Sequence, residues 1–370
     1  MEKKERNKWL LLLADPVIFF YSCSWLMVLV IAGTLAQREL GLYMAQQKYF
    51  ASWFFFTGPV PLPGGRITMA IIFINLVVYL LIKSSFKKTP GIFIAHIGAL
   101  LLLLGGFLTA YFSSEGTMVI QEGDSSQYVS DYHSRELVLI NPSQEEDEVT
   151  SFSMGWLSAG ETLKHETFQG EIKILETYTN CDVVQRTDSD PSFKGFGQRF
   201  QARELPDDKS HERNMFGLVM AVSGFGDSID GKYLLVEYMN EPTFLGAAQC
   251  VIRKERTYLP FEIELLDFEK KLHPGTNMPK SYKSVVNLLE DGQSRRVVIQ
   301  MNEPLRHHGY TFFQSSFIEG RGPDSTVLSA VKNYGRQFPY ISSIIMCIGL
   351  LIHLIQLVPG LMKRNEEKEG

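Results

Sequence analysis

The sequence predicts an α-helical membrane protein with four transmembrane helices, joined to a β-rich extracytoplasmic domain folded as an antiparallel sandwich or open barrel. Three observations predict it. Apolar residues are bunched into four runs without an Asp, Glu, Lys or Arg in their interiors, whereas residues 113–337 are polar and read mostly as strands. The charges divide along the same boundary: residues 113–337 hold 23 Lys+Arg against 34 Asp+Glu, and the remainder holds 13 against 7. The net charge of −5 excludes a generally basic nucleic-acid binder, and four cysteines in 370 residues cannot staple a disulfide scaffold.

The runs cover about 16–36, 67–82, 91–112 and 338–359, each near the roughly 20 residues that cross the hydrocarbon as a helix. The second is shortest, so Arg66 and Lys83 are expected to snorkel at its ends. Lys3, Lys4, Arg6 and Lys8 precede the first run, Lys83, Lys87 and Lys88 fill the second connection, and Lys363, Arg364 and Lys368 follow the last. Four spans put all three groups on one side, which the positive-inside rule makes cytoplasmic, together with both termini and the tail 360–370. The basic start and Ala32-Gly-Thr-Leu-Ala36 also fit a cleavable signal peptide, although the run exceeds a usual apolar region of about 7–15 residues.

Between the first two spans, the loop 37–66 carries Tyr43, Tyr49, Phe50, Trp53 and Phe54, which suit a short helix lying in the membrane interface, stopped by Pro59 to Gly65. In residues 113–337, Thr117 to Gln121 precedes a Glu-Gly-Asp turn, and Glu136 to Ile140 and Lys232 to Tyr238 read as strands. Phe261, Ile263 and Leu265 alternate with Glu262 and Glu264. Ser284 to Leu289 and Arg296 to Met301 flank a hairpin loop, Glu290 to Ser294. The Arg186 to Arg213 segment reads as a long loop, and Ser143 to Glu148 as an acidic turn.

No nucleophile elbow, phosphate loop, HExxH helix, CxxC or CxxCH is present, so the chain supplies no standard hydrolytic, nucleotide or thiol-redox centre. Cys181 and Cys250 fall in the polar domain, where an oxidising compartment would permit a bridge between them. Cys23 and Cys347 sit within spans as packing residues. His96 and His353 also lie within spans, where an ionisable group is costly and marks a functional path. Counted from the cytoplasmic run ends, both sit roughly 7–8 Å deep at about 1.5 Å rise per residue. Two imidazoles at matched depth could ligate one haem iron, each could ligate iron with a partner's histidine, or each could hydrogen-bond between helices. His307 and His308 read as an exposed turn.

Ile94-Ala-His-Ile-Gly-Ala-Leu-Leu-Leu-Leu-Leu-Gly-Gly106 and Glu115-Gly-Thr-Met-Val-Ile-Gln-Glu-Gly123 resemble the third span and following segment of the ResB (CcsB-type) cytochrome c biogenesis family. Tyr282-Lys-Ser-Val-Val, Val298-Ile-Gln-Met-Asn-Glu-Pro-Leu-Arg-His-His-Gly-Tyr-Thr-Phe-Phe-Gln-Ser-Ser-Phe317 and Val327 to Tyr340 resemble its later motifs in the same order. The middle, about 140–255, carries no motif of the resemblance. The resemblance implies the system II route of cytochrome c maturation. A ResB-type subunit there works with a ResC (CcsA-type) partner bearing a Trp-rich, WWD-type segment, and the two deliver haem to apocytochrome c.

By that resemblance, His96 matches an intramembrane haem ligand on the ResB side, while His353 has no counterpart. The implied cofactor is haem b, bound transiently and shared with the partner. The implied role is a non-catalytic or co-catalytic subunit of a haem lyase complex in the bacterial inner membrane, surrounded by lipid. Only Trp9, Trp25, Trp53 and Trp156 are present, so the WWD-type part must come from a separate partner. A self-contained b-type electron carrier using His96 and His353, and a membrane-tethered scaffold without haem, are the alternatives.

Overall fold

The computed structural model describes residues 2–143, 147–165, 168, 170–188, 190–239, 241–319 and 322–369, with side chains described between 8 and 358. The chain divides into two compact units, Met1–Ser114 with Lys332–Gly370, and Glu115–Val331. The expected acidic turn at Ser143 to Glu148 lies partly outside the described residues, as do the side chains of Lys3, Lys4, Arg6, Lys363, Arg364 and Lys368.

The first unit contains four helices long and apolar enough to span a membrane, at Pro16–Phe50, Gly65–Ile82, Pro90–Phe112 and Phe338–Val358. Helix α1 (Glu2–Leu13) precedes them and breaks before α2 (Pro16–Ala45). The break follows from Asp15-Pro16: Asp15 caps the new helix by accepting from Val17 N–H at 3.0 Å, and Pro16 occupies the first position, where its missing N–H leaves no bond unmade. The carbonyls freed at the break need partners, because lipid offers none. Asn75, buried on α3 (Gly65–Ile82), donates to the carbonyls of Leu13 at 2.6 Å and Asp15 at 2.9 Å.

Within the stretch 37–66, where a short interfacial helix is expected, the α2 range continues to Ala45. Gly41, at φ 78°, absorbs the kink inside it. A π-helical turn, Gln46–Phe50, then brings the Phe50 ring against Gly33, and Phe54–Thr57 pairs with Val60–Pro63 as a small hairpin. The Trp25 indole N–H donates to the Pro63 carbonyl at 2.9 Å, which fastens that hairpin to α2. Aromatic residues of this stretch thus take part in a folded cap on α2.

Helices α4 (Pro90–Phe112) and α5 (Phe338–Glu369) meet along a glycine seam. Gly91, Gly98 and Gly105, spaced by seven residues, are the buried residues of α4. A Cβ at Gly91 would lie 2.7 Å from both the Gly349 carbonyl oxygen and the His353 Cα; one at Gly98 would lie 2.6 Å from Met346 Cγ and 2.9 Å from the Ser342 carbonyl oxygen. Gly105 meets Phe338. The sevenfold spacing keeps one face toward the partner helix, and absent side chains let backbones touch, which drives association where lipid removes the hydrophobic effect. At one end of the seam, Thr109 Oγ1 donates to Asn333 Oδ1 at 3.0 Å, and the same oxygen accepts from Gly335 N–H at 2.7 Å. Helix α5 runs on through the segment expected as a cytoplasmic tail, as far as Glu369.

The second unit is β-rich and open, without a closed barrel. Its large sheet runs in the order Gln293–Gln300, Pro279–Glu290, Ala248–Leu272, Ser125–Asn141, Ser114–Gln121, Ser325–Lys332, Tyr310–Ile318 and Leu305–His307, with Thr243–Leu245 and Glu148–Ser153 paired at the two long strands. A smaller sheet joins Gly231–Val236, Gly217–Ser223, Glu171–Tyr178 and Thr162–Leu163. The two long strands serve two cores. Val129, Leu259, Phe261, Ile263 and Leu265 fill one; Leu137, Leu139, Cys250 and Ile252 join Ile172, Ile174, Leu218, Met220 and Leu235 in the other. Register shifts between Lys254 and Arg256, and between Tyr258 and Ile263, mark the change from one core to the next.

Arg186 to Arg213, expected as a loop, contains the strand Phe200–Glu204, paired with Cys181–Gln185. Its charged residues hide the strand period. The Arg186 guanidinium stacks 3.7 Å from the Phe193 ring centroid and donates to the Gly197 carbonyl at 2.7 Å.

Across the second core, Arg135 of the large sheet donates from Nε to Glu237 at 2.8 Å, with side-chain exposures of 0% and 1%. Tyr132 and Ser134 carbonyls accept from its Nη1, and the Phe216 ring lies 5.0 Å away. Removing one partner from so buried a pair strands the other charge, at a cost of about 3–5 kcal/mol. Glu237→Ala should therefore lower the unfolding temperature of the full chain sharply, whereas the double change Arg135→Met, Glu237→Leu should recover most of it; thermal unfolding in detergent measures both. On the seam, Gly91→Val should destabilise by about 1–3 kcal/mol through overpacking. Gly106→Val, where a Cβ meets nothing within 4 Å, should leave the unfolding temperature unchanged.

Candidate functional site

His96 stands one and a half turns into α4, a helix opened by Pro90 at its first position. Its Nδ1 is 2.8 Å from the Ile92 carbonyl oxygen, one turn back along the helix. A carbonyl only accepts, so Nδ1 carries the proton and Nε2 keeps its lone pair. This is the tautomer that a coordinating imidazole needs, with the hydrogen bond fixing the ring's orientation. The Tyr79 ring of α3 packs at 5.3 Å between centroids, tilted by 48°, and holds the imidazole from the neighbouring helix. The side chain is half-buried, which leaves it reachable.

His353 lies on α5, its backbone against Gly91, while Gly349 abuts Ala95. The antiparallel register therefore sets His353 level with the start of α4. At about 1.5 Å per residue, it is offset from His96 by roughly 7–8 Å along the helix axes. The matched depth expected from the run ends does not hold, because α5 extends past α4 on that side. Among the glycines that follow His96 on α4, Gly98 and Gly105 meet α5, whereas a Cβ at Gly106 would meet nothing within 4 Å.

In the β-rich unit, Cys181 and Cys250 are separate buried thiols belonging to different core clusters. Burial pushes the Cys181 thiol up to about 11 and Cys250 up to about 12, and Cys181 donates to the Met215 carbonyl at 3.3 Å. Neither is a poised nucleophile. His307 ends the strand Leu305–His307, and His308 with Gly309 forms the turn, both next to Glu290.

Sequence reasoning missed a cavity of about 450 Å³ lined by Glu237, Tyr238, Arg253, Lys254 and Arg256 among others. Its residues come from the end of one strand and the middle of another, so no local motif announces it. Arg253 is tied to Glu136 at 2.7 Å, and Arg256 stacks 4.0 Å from the Tyr128 ring centroid, which fixes the basic side of the cavity.

Four helices long and apolar enough to span a membrane, a histidine on one of them hydrogen-bonded to its own helix, and an open, antiparallel β unit are the features that define its class. Residues 218–333 match the ResB-like family, which the chain resembles over that stretch. Protein NrfI of Wolinella succinogenes is 25% identical over 279 residues, covering 74% of this chain; the chain spans 28% of that protein's length. The match begins at Leu218, inside the stretch where the sequence offered no motif, and includes the Val298 to Phe317 segment.

The buried thiols give a direct check. Maleimide at pH 8 should modify neither Cys181 nor Cys250 in the folded protein and both after denaturation without reductant, as read by peptide mass spectrometry. Modification that requires reductant would show that they are joined.

Proposed function

We propose that this protein is a membrane subunit of the cytochrome c biogenesis machinery that holds haem at His96 jointly with a histidine of a second membrane protein. The match of residues 218–333 to the ResB-like family supports involvement in cytochrome c biogenesis. The observation that carries the haem assignment is the His96 imidazole itself, an intramembrane ring whose Nδ1–H is committed to the Ile92 carbonyl and whose Nε2 is thereby left as a ligand. His96 would hold a haem iron through this nitrogen.

The glycine seam favours a ligand from outside the chain. With α4 and α5 in backbone contact at Gly91 and Gly98, a macrocycle held between His96 and His353 would have to part the two helices. A shared haem on another face of α4 needs no such rearrangement. When bound, the haem supplies the vinyl groups that become thioether links to apocytochrome c thiols. This chain's own groups hold and orient, and His96 positions iron rather than moving a proton.

In this reading the partner is a ResC/CcsA-type, WWD-bearing protein, and the route is system II. The protein sits in the bacterial inner membrane with both termini cytoplasmic and the β-rich unit on the far side, as the Lys and Arg clusters favour. The net acidity of that unit suits basic clients such as apocytochrome c, with an attraction that salt weakens.

Co-expression with a WWD-type partner and an apocytochrome tests the proposal. His96→Ala should lower holocytochrome yield by at least ~10-fold, on the scale of losing a ligand or its support, while His353→Ala leaves it near wild type. Unchanged yield after His96→Ala would overturn the ligand role. Equal loss from either change, with haem retained by the chain purified alone, would favour the self-contained carrier.

A further inference from the structure

Two hairpin tips of the β-rich unit bring a glutamate to two adjacent histidines. The first tip is Asp291-Gly292, joining Pro279–Glu290 to Gln293–Gln300, with φ 49° and 74°. The second is His308-Gly309, joining Leu305–His307 to Tyr310–Ile318, with φ 46° and 79°. Two successive positive φ angles define the two-residue turn that matches strand twist. In the second tip they have a chemical consequence. Neighbouring residues of a strand point to opposite faces, but the left-handed backbone at His308 turns its ring to the same side as that of His307. Their ring centroids are 4.6 Å apart. Both Nε2 atoms reach the one carboxylate: His307 to Glu290 Oε2 at 2.8 Å, and His308 to Oε1 at 2.6 Å.

We infer that Glu290, His307 and His308 form a binding site for a divalent transition-metal ion, with zinc(II) the best-suited occupant. One ligand atom from each lies within 4.8 Å of the others. Tetrahedral zinc with bonds of about 2.0–2.1 Å needs its ligand atoms about 3.4 Å apart, so the two histidine–carboxylate contacts, at 2.8 and 2.6 Å, must open by less than about 1 Å to admit the ion. Two imidazoles and one carboxylate are the donor set of zinc sites that keep a fourth position open. Solvent reaches this one, since the His308 side chain is 47% exposed. The buried Phe261 ring, 4.7 Å from His307 and 5.7 Å from His308 between centroids, provides a rigid apolar floor. For an Nε2 lone pair to meet the ion, the ring proton must sit on Nδ1, and the metal bond then replaces the hydrogen bond to Glu290. Hard cations that want six oxygens are poorly served by this donor set.

Zinc chloride titrated into the full chain, purified in detergent through a tag without histidine and stripped with chelator, tests the site. Binding is followed by competition with a chromophoric chelator. One equivalent should bind, magnesium in excess should not displace it, and Glu290→Gln, His307→Gln and His308→Asn should each weaken it by at least ~10-fold. Asparagine tolerates the left-handed backbone, so His308→Asn removes the ligand while keeping the turn, and an unchanged unfolding temperature verifies that. His96→Ala should leave the stoichiometry intact. No binding at one equivalent, binding indifferent to the three hairpin substitutions, or binding lost with His96→Ala would each overturn the assignment.

Discussion

The contact on which the membrane unit depends is the approach of α4 and α5 at Gly91, Gly98 and Gly105. Lipid is as apolar as a leucine side chain, so these helices gain nothing by hiding hydrophobic surface and must associate through close packing and a few polar contacts. Glycine at every seventh position supplies the packing; Thr109, Asn333 and Gly335 supply the polar closure. The seam joins the helix before the β-rich segment to the helix after it. It also decides the geometry of the intramembrane histidines. His353 is drawn to the level of the α4 start and held there by its backbone, while His96 is turned by its own helix's carbonyl and by Tyr79. A half-buried imidazole thus stands beside a closed helix interface.

The β-rich unit solves a different problem. Two long strands, Ser125–Asn141 and Ala248–Leu272, run through two successive cores, and a sheet that long would slide or twist freely without fixed points. The register shifts near Arg256 and Tyr258 divide the strands. The Arg135–Glu237 pair then ties the large sheet to the end of the strand Gly231–Val236, where burial makes the match of charges obligatory. Glu237 of that pair also lines the mixed-charge cavity, so the ion pair that orders the core reaches its wall.

Much of this was legible in the sequence. Span lengths follow from uninterrupted apolar runs, and the alternation of Phe261, Ile263 and Leu265 with Glu262 and Glu264 predicts the strand that buries the first three. The Asp291-Gly292 hairpin follows from its turn residues, although the loop is two residues and not five. What escaped depends on contacts distant in sequence. The cap after α2 relies on Phe50 meeting Gly33 and Trp25 meeting Pro63; the strand Phe200–Glu204 is defined by its partner; and the offset of His353 is set by cross-helix register, which counting from run ends cannot supply. His96 was visible as an ionisable residue in a span, but its tautomer required the Ile92 carbonyl. His307 and His308 looked like a plain turn because Glu290 is 17 residues away from the nearer of them.

The central claim is that His96 provides an axial nitrogen to a haem shared with a partner, and low-temperature electron paramagnetic resonance of the purified two-protein complex tests it most directly. The account predicts a low-spin, bis-imidazole ferric signal that becomes high-spin on His96→Gly and returns when free imidazole is added. A signal unchanged by His96→Gly, with haem content preserved, would contradict it.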